Sequence, residues 1–196
     1  LEDLNGRIDL ILDGGPCPIG IESTVLDLTG APRILRPGGV SIDALRSVIP
    51  GLEVEARCIN EKDISFAPGQ MLKHYSPRAR LELYRGKAER VLAAQHDAAE
   101  AALATGQRVG VLLLDTDEAG FPEATRLEIL PYDRDLSGVS QALFAAMRNL
   151  DLQDCDLILA RDYAQDDAQD NGRPALGAAV WDRLLRAAEG KVIDVD

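Results

Sequence analysis

Residues 109–114 read VGVLLL, and this apolar run decides the fold of the larger part of the chain. Six residues without polar alternation predict a strand that is buried on both faces, as in a parallel sheet. The pattern continues on both sides as alternating strands and helices, with strands predicted at 81–84, 127–130 and 156–160 and helices at 87–104, 137–150 and 175–188. We therefore predict a three-layer, Rossmann-like α/β domain with a mainly parallel sheet over residues 81–196.

The first 50 residues are patterned differently, as short strands that tight turns connect. We predict a buried strand at 8–13, a second strand at 23–28, and a third at Arg33–Arg36 that Pro37 stops. Ser41 is a good N-cap for a short helix that reaches Val48. Tight turns favour a mixed or antiparallel sheet over a parallel one. Because the chain opens without Met on what reads as the last turn of a helix, we expect the front of this domain to be missing.

Residues 51–80 have no clear periodicity, and Pro68, Gly69 and Pro77 interrupt any long element. We predict an interdomain linker here. Linkers of this length are usually either functional or disordered. The pair His74 and Tyr75 in its second half favours a functional one.

Composition excludes several classes of protein. The net charge of -12 repels phosphate backbones, so we expect no direct binding of nucleic acid. No apolar span approaches the roughly 20 residues that a transmembrane helix needs. The cysteines Cys17, Cys58 and Cys155 are far apart and odd in number, which predicts neither a zinc site nor a disulfide framework. Reduced thiols indicate a cytoplasmic location. The acidic loop around Asp166 fits no EF-hand, so we expect no metal site.

Three segments resemble the threonylcarbamoyl-adenylate synthase family in its long, two-domain form. They read GIESTVLD at 20–27, RILRPG at 33–38 and APG through HYSP at 67–77. The resemblance implies that residues 1–50 are the end of a YrdC-like catalytic domain, a twisted mixed α/β sheet. Residues 51–80 would then cross the active site, and residues 81–196 would form the C-terminal domain. It also implies a reaction, in which L-threonine, bicarbonate and ATP give threonylcarbamoyl-AMP and pyrophosphate for the modification of tRNA.

The same resemblance implies roles for particular residues. Ser23 would bind threonine, and Arg36 and Tyr75 would bind ATP. Lys73 and His74 would make lid or phosphate contacts, and no residue would act as a covalent catalyst. ATP would be a substrate, with Mg²⁺ carried by the nucleotide, and the product would pass to the tRNA threonylcarbamoyl transferase complex.

Each of these residues also has a plainer interpretation. Ser23 can cap a turn. Arg36 can pair with a surface carboxylate, although we expect Arg36 and not Arg33 to contact the nucleotide. Tyr75 can anchor the linker by its ring. For the whole chain, the alternatives are a non-catalytic α/β module that binds a ligand or a partner, and a scaffold domain. We expect this chain to hold only part of the site and to be inactive alone.

Overall fold

The structure is a computed structural model that describes residues 4–15, 17–21, 23–55, 76–164 and 176–196. Two sheets organise the described residues. A small three-stranded sheet lies in the front part, and a five-stranded sheet forms the C-terminal part. No helix of the described ranges is both long and apolar enough to cross a membrane.

The front sheet has the mixed topology that its tight turns predict. Strand β1 (Val25–Asp27) pairs antiparallel with β2 (Arg33–Arg36), and β2 pairs parallel with β3 (Glu53–Val54). Helix α1 (Ile42–Val48) follows β2, and the Ser41 side chain accepts a hydrogen bond from the Ala44 amide at its start. The predicted N-cap is therefore confirmed.

The predicted strand at 8–13 is wrong for the described structure. The segment forms no strand, and its apolar side chains are exposed, with Leu10 73% and Leu12 86% accessible to solvent. The apolar pattern is that of a strand covered on both faces. None of the described residues pairs with this segment, and a strand exists only with a partner that completes its backbone hydrogen bonds.

The C-terminal sheet is entirely parallel, in the order β6-β5-β7-β4-β8. Each predicted strand and helix of this part is present, with ends that shift by at most a few residues. The strands are β4 (Arg80–Gly86), β5 (Val109–Leu114), β6 (Arg126–Leu130), β7 (Leu157–Arg161) and β8 (Val192–Val195), and the helices are α2 (Ala88–Ala104), α3 (Ser137–Leu152) and α4 (Gly177–Ala187).

Helices cover both faces of this sheet, which makes the predicted three layers. Along β5, Val111 and Leu113 pack on the side of α2, whereas Leu112 and Leu114 pack on the side of α3 and α4. This alternation is the two-residue period of a strand, and it explains why the whole run had to be apolar. The edge strand β8 was not predicted, because its central residues, Ile193 and Asp194, are exposed and it has only four residues.

The front part docks on α3 through the segment before β1. Ile21 is 2% exposed and belongs to the core of the C-terminal sheet. The Ser140 hydroxyl donates to the Ile19 carbonyl oxygen at 2.6 Å, and the Gln141 side chain donates to the Pro18 carbonyl oxygen. The two parts therefore share a packed contact that fixes where β1 begins.

Candidate functional site

Ser23 and Gly38 bring the two sequence segments of the predicted site together. A Cβ placed on Gly38 would lie 2.4 Å from the Ser23 carbonyl oxygen, which is far inside van der Waals contact. The backbones therefore meet directly, and only glycine permits this approach. The contact places Ser23, which is exposed, beside the loop that follows Arg36.

The strand register brings Arg36 near the segment that holds Ser23. Val25 of β1 lies opposite Arg36 of β2, and the register shifts between Val25 and Leu26. Ser23 lies two residues before Val25, ahead of the strand. Thr24 lies between them, and its hydroxyl accepts a hydrogen bond from the Val40 amide at 3.4 Å.

Arg33 is paired with two carboxylates. Its guanidinium donates to Asp27 at 2.7 and 2.9 Å and forms an ion pair with Glu55. The hydroxyl and amide of Thr29, and then Arg33, lower the pKa of Asp27 to about 2. This network fastens β1 to β2.

Helix α4 contributes a charged cluster that faces the β2 end. Asp182 is buried and accepts two hydrogen bonds from Arg186, at 2.9 and 2.7 Å. It also forms an ion pair with Arg183, whose side chain is 12% exposed. A second nitrogen of Arg183 donates to the Pro37 carbonyl oxygen at 3.4 Å. The C-terminal part therefore contacts the residue immediately after Arg36.

Burial and charges of both signs act on Arg183 in this cluster. Burial lowers the pKa of its guanidinium, the Asp182 carboxylate opposes that shift, and the positive charges of Arg36 and Arg186 lower it further. Arg183 and Arg36 are thus near enough to repel each other. An anion placed beside them would be stabilised by both guanidinium groups.

Sequence reasoning did not assign a role to the α4 cluster. In the sequence, Asp182 and Arg186 are one turn apart and lie on the side of the helix opposite the apolar stripe of Val180 and Leu184. That spacing predicts an ion pair between them. The pattern alone does not show that this side is buried against another element.

The three linker residues of the predicted site, Lys73, His74 and Tyr75, lie outside the described residues. Ser76 is the first described residue after them. Its hydroxyl lies 3.5 Å from the Arg186 carbonyl oxygen, at the end of α4. The end of the linker and the Pro37 contact are therefore both on α4.

A metal site is not evident near this cluster in the described ranges. Their one grouping of potential ligands is His96, Asp97 and Glu100, on the outer side of α2. Its acidic members are exposed, as ordinary solvated carboxylates are. The acidic loop around Asp166 lies outside the described residues.

The fold and the site together define a two-part α/β protein with a basic, half-buried seam between a small mixed sheet and a parallel sheet. A family model described as "Threonylcarbamoyl-AMP synthase, C-terminal domain" matches residues 40–189. A second model, described as "Telomere recombination", matches residues 1–38. The chain belongs to the threonylcarbamoyl-AMP synthase family.

Curated relatives carry the name threonylcarbamoyl-AMP synthase. The protein of Bacillus subtilis is 35% identical over 192 residues, covering 97% of this chain and 52% of the relative. The protein of Schizosaccharomyces pombe is 35% identical, and the match covers 95% of this chain and 46% of the relative. The protein of Pyrococcus abyssi is 32% identical, and the match covers 99% of this chain and 53% of the relative. The chain thus spans about half the length of the curated relatives it matches.

A solved structure supports the fold over the whole chain. The crystal structure of Pyrococcus abyssi Sua5 complexed with L-threonine matches with a TM-score of 0.81 and 29% identity. The match covers 100% of this chain and 54% of that one. The predicted α/β fold class is therefore confirmed.

Proposed function

We propose that this chain is the C-terminal half of an L-threonylcarbamoyladenylate synthase, an enzyme of the nucleotidyltransferase type. One observation carries the proposal: the close approach of Gly38 to Ser23, which puts the predicted threonine residue and the predicted ATP residue, Arg36, beside each other. Family membership and the threonine bound in the Pyrococcus abyssi structure add support.

The chemistry proposed for this site needs positioning and charge neutralisation. The threonine amine combines with bicarbonate to give a carbamate and water. A carbamate oxygen then attacks the α-phosphorus of ATP, and the bond to the β-phosphate oxygen breaks to release pyrophosphate. Negative charge on the phosphate oxygens is what Arg36 would neutralise. The Ser23 hydroxyl would donate to the threonine carboxylate or accept from its ammonium group.

No covalent intermediate with the protein is needed in this scheme. Holding carbamate and ATP in line converts an encounter of two molecules into a local step, which is a large part of the acceleration. Mg²⁺ would enter with the nucleotide substrate and would neutralise part of its phosphate charge. Arg183 and Arg186 of α4 are paired with Asp182, and the Asp27 carboxylate is bound by Arg33.

We propose the domain limits implied by the resemblance: residues 1–50 as the end of the catalytic domain, 51–80 as the linker and 81–196 as the C-terminal domain. Tyr75 would cover the nucleotide, with Lys73 and His74 at the lid or the phosphates. The chain alone would hold only part of the site. Handover of the product to the tRNA threonylcarbamoyl transferase complex, in the cytoplasm and without direct tRNA binding by this chain, completes the proposal.

The direct test is identification of the product. Full-length protein is incubated with ATP, L-threonine and ¹³C-bicarbonate, and the nucleotide fraction is analysed by mass spectrometry. We expect a threonylcarbamoyl-AMP species that carries one ¹³C atom and is absent when either threonine or bicarbonate is omitted. Recovery of unreacted ATP alone, from a reaction with folded protein, would contradict the proposed function.

The alternative of a ligand-binding module has one observation in its favour. A cavity of about 590 Å³ lies beside the first half of β4, where β8 has not yet begun, and is lined by Arg78, Arg80 and Lys191 among others. Two of these cations already contact carboxylates, Arg80 at Glu82 and Lys191 at Glu189. Binding of ATP that survives substitution of Arg36 but is lost with Arg80→Gln would favour this alternative.

A further inference from the structure

Arg183 reaches from the C-terminal domain to the loop that carries the predicted ATP residue. Its guanidinium donates to the Pro37 carbonyl oxygen, 146 residues earlier in the chain. Pro37 stands between Arg36 and Gly38, the residue whose backbone touches Ser23. One side chain of α4 therefore contacts the segment that joins both predicted substrate-binding residues.

The guanidinium of Arg183 is held in place by a buried partner. Asp182 is 5% exposed and Arg186 is 2% exposed, and the two form a bidentate pair one turn apart. Asp182 also binds Arg183. A paired and buried carboxylate does not move freely, because unpairing it would leave an uncompensated buried charge. Arg183 is thus a pre-oriented donor.

Helix α4 also contacts the end of the linker. The Ser76 hydroxyl lies 3.5 Å from the carbonyl oxygen of Arg186, one turn after Arg183. The same helix therefore contacts the loop after β2 and the residue that follows the predicted lid. Contacts of this kind let a domain outside the site hold the residues of the site in a fixed geometry.

We infer that Arg183 is a positioning residue of the nucleotide site: by holding the Pro37 carbonyl it orients the Arg36 guanidinium and keeps Gly38 against Ser23. Naming ATP as the ligand rests on the proposed function. Through this contact the C-terminal domain would take part in the reaction, because Arg183 would fix the position of the loop after β2.

The positive charge of Arg183 acts in the same direction as its hydrogen bond. A second guanidinium near Arg36 raises the local potential at the place where phosphate oxygens would bind. Loss of the side chain therefore removes both an orienting contact and part of the attraction for ATP. Threonine binding would be affected less, since Ser23 is reached only through the backbone of Gly38.

The test compares Arg183→Gln and Arg183→Lys in the full-length protein with Arg148→Gln, an exposed arginine on α3. The readouts are KM for ATP, KM for threonine, the midpoint of thermal unfolding, and hydrogen exchange of residues 34–40. We expect Arg183→Gln to raise KM for ATP about tenfold or more, the scale of one lost charge-assisted hydrogen bond. KM for threonine should rise less, exchange in 34–40 should be faster, and Arg183→Lys should restore much of the affinity.

The outcomes separate this inference from the proposed function. If wild-type protein is active and Arg183→Gln behaves like Arg148→Gln in both KM for ATP and exchange of 34–40, the inference is overturned. An equal rise in both KM values with a lowered unfolding midpoint, not relieved by lysine, would make Arg183 a merely structural residue and would also overturn it. If wild-type protein makes no product, the proposed function fails, and exchange of 34–40 alone then decides whether Arg183 holds this loop.

Discussion

The Ser140 hydroxyl donates a hydrogen bond of 2.6 Å to the carbonyl oxygen of Ile19, 121 residues away. Both atoms lie where the front part of the chain packs on α3, and Ser140 is fully buried. The bond fixes the segment that leads into β1. Gly20 approaches the same place so closely that a Cβ on it would lie 2.3 Å from the Ser140 carbonyl oxygen.

Ser140→Ala should therefore weaken the contact between the two parts. It leaves the half-buried Ile19 carbonyl without this donor, which typically costs about 0.5–1.5 kcal/mol in the free energy of unfolding. Denaturant unfolding measures the change. Ser47→Ala is the matched control, because Ser47 donates to the Ala44 carbonyl within exposed α1. Equal effects of the two substitutions would contradict the role of Ser140.

Gly38→Ala should damage the site without touching a functional side chain. The added methyl group would lie 2.4 Å from the Ser23 carbonyl oxygen, so Ser23 and the loop after Arg36 must separate. We expect KM for both threonine and ATP to rise by about tenfold or more, as small displacements in catalytic sites do. Steady-state kinetics of the full-length protein measures this.

Gly30→Ala provides the control for that substitution. A Cβ on Gly30 meets no atom within 4 Å, and Gly30 lies in the turn between the same two strands. Its kinetics should match wild type. Wild-type kinetics for Gly38→Ala would show that the closeness of Ser23 and Gly38 has no part in substrate binding.

Asp27 should stabilise the folded protein at neutral pH, with a contribution that changes with pH only in acid. Its pKa falls from 3.8 to about 2 in the folded protein, chiefly through the Thr29 hydroxyl and amide. A depressed pKa stabilises the folded state above pH 3.8, and that stabilisation is lost as the pH falls through about 2. The difference in unfolding free energy between wild type and Asp27→Asn should shrink over this interval.

Thr29→Val tests the cause of that shift. It removes the hydroxyl that donates to Asp27 at 2.6 Å, so the pKa of Asp27 should rise toward its ordinary value. Titration of the carboxyl carbon by NMR measures it. A pKa that stays near 2 in Thr29→Val would show that the Thr29 hydroxyl is not the main cause, and would leave the shift to the backbone amide of residue 29 and to Arg33.

Gln95 should be a site where substitution stabilises the protein. It is fully buried in α2 against the sheet, and no described residue offers a hydrogen-bond partner to either atom of its amide. An unsatisfied buried amide costs about 1–3 kcal/mol, so Gln95→Leu should raise the unfolding free energy by a similar amount. Gln95→Glu, which buries a charge, should lower it. A loss of stability in Gln95→Leu would contradict this account.

The C-terminal sheet could be predicted from sequence because local hydrophobic patterns show which of its residues are buried. The run at 109–114 is buried on both faces, and the helical stripes of α2, α3 and α4 match their cores. Gln95 is the exception, a polar residue inside the stripe of α2. Strand β8 could not be predicted, because an exposed edge strand of four residues has almost no burial pattern.

The strand predicted at 8–13 shows the limit of pattern reasoning. Apolar periodicity reports that a segment is suited to burial, not that a partner is present. The residues pairing with it would have to come from elsewhere, and Leu10 and Leu12 remain exposed.

The site was predictable only in part. Strand alternation predicts that Arg36 and not Arg33 contacts the nucleotide, and Arg33 is paired with Asp27 and Glu55. The contact of Arg183 with Pro37 could not be predicted, because it joins residues 146 positions apart through a tertiary contact that no local pattern encodes. The roles of Ser23, Arg36, Lys73, His74 and Tyr75 stay predictions.

Pyrophosphate release by the full-length protein tests the central claim most directly, with wild type and Arg36→Ala compared in the presence of ATP, threonine and bicarbonate. The account predicts release by wild type that requires both threonine and bicarbonate, and a fall of about a hundredfold or more in kcat/KM for Arg36→Ala at unchanged folding, the scale of losing a phosphate-binding guanidinium. Arg46→Ala, at an exposed position on α1, should retain wild-type release. Release by Arg36→Ala at the wild-type rate, or none from folded wild-type protein, would contradict the account.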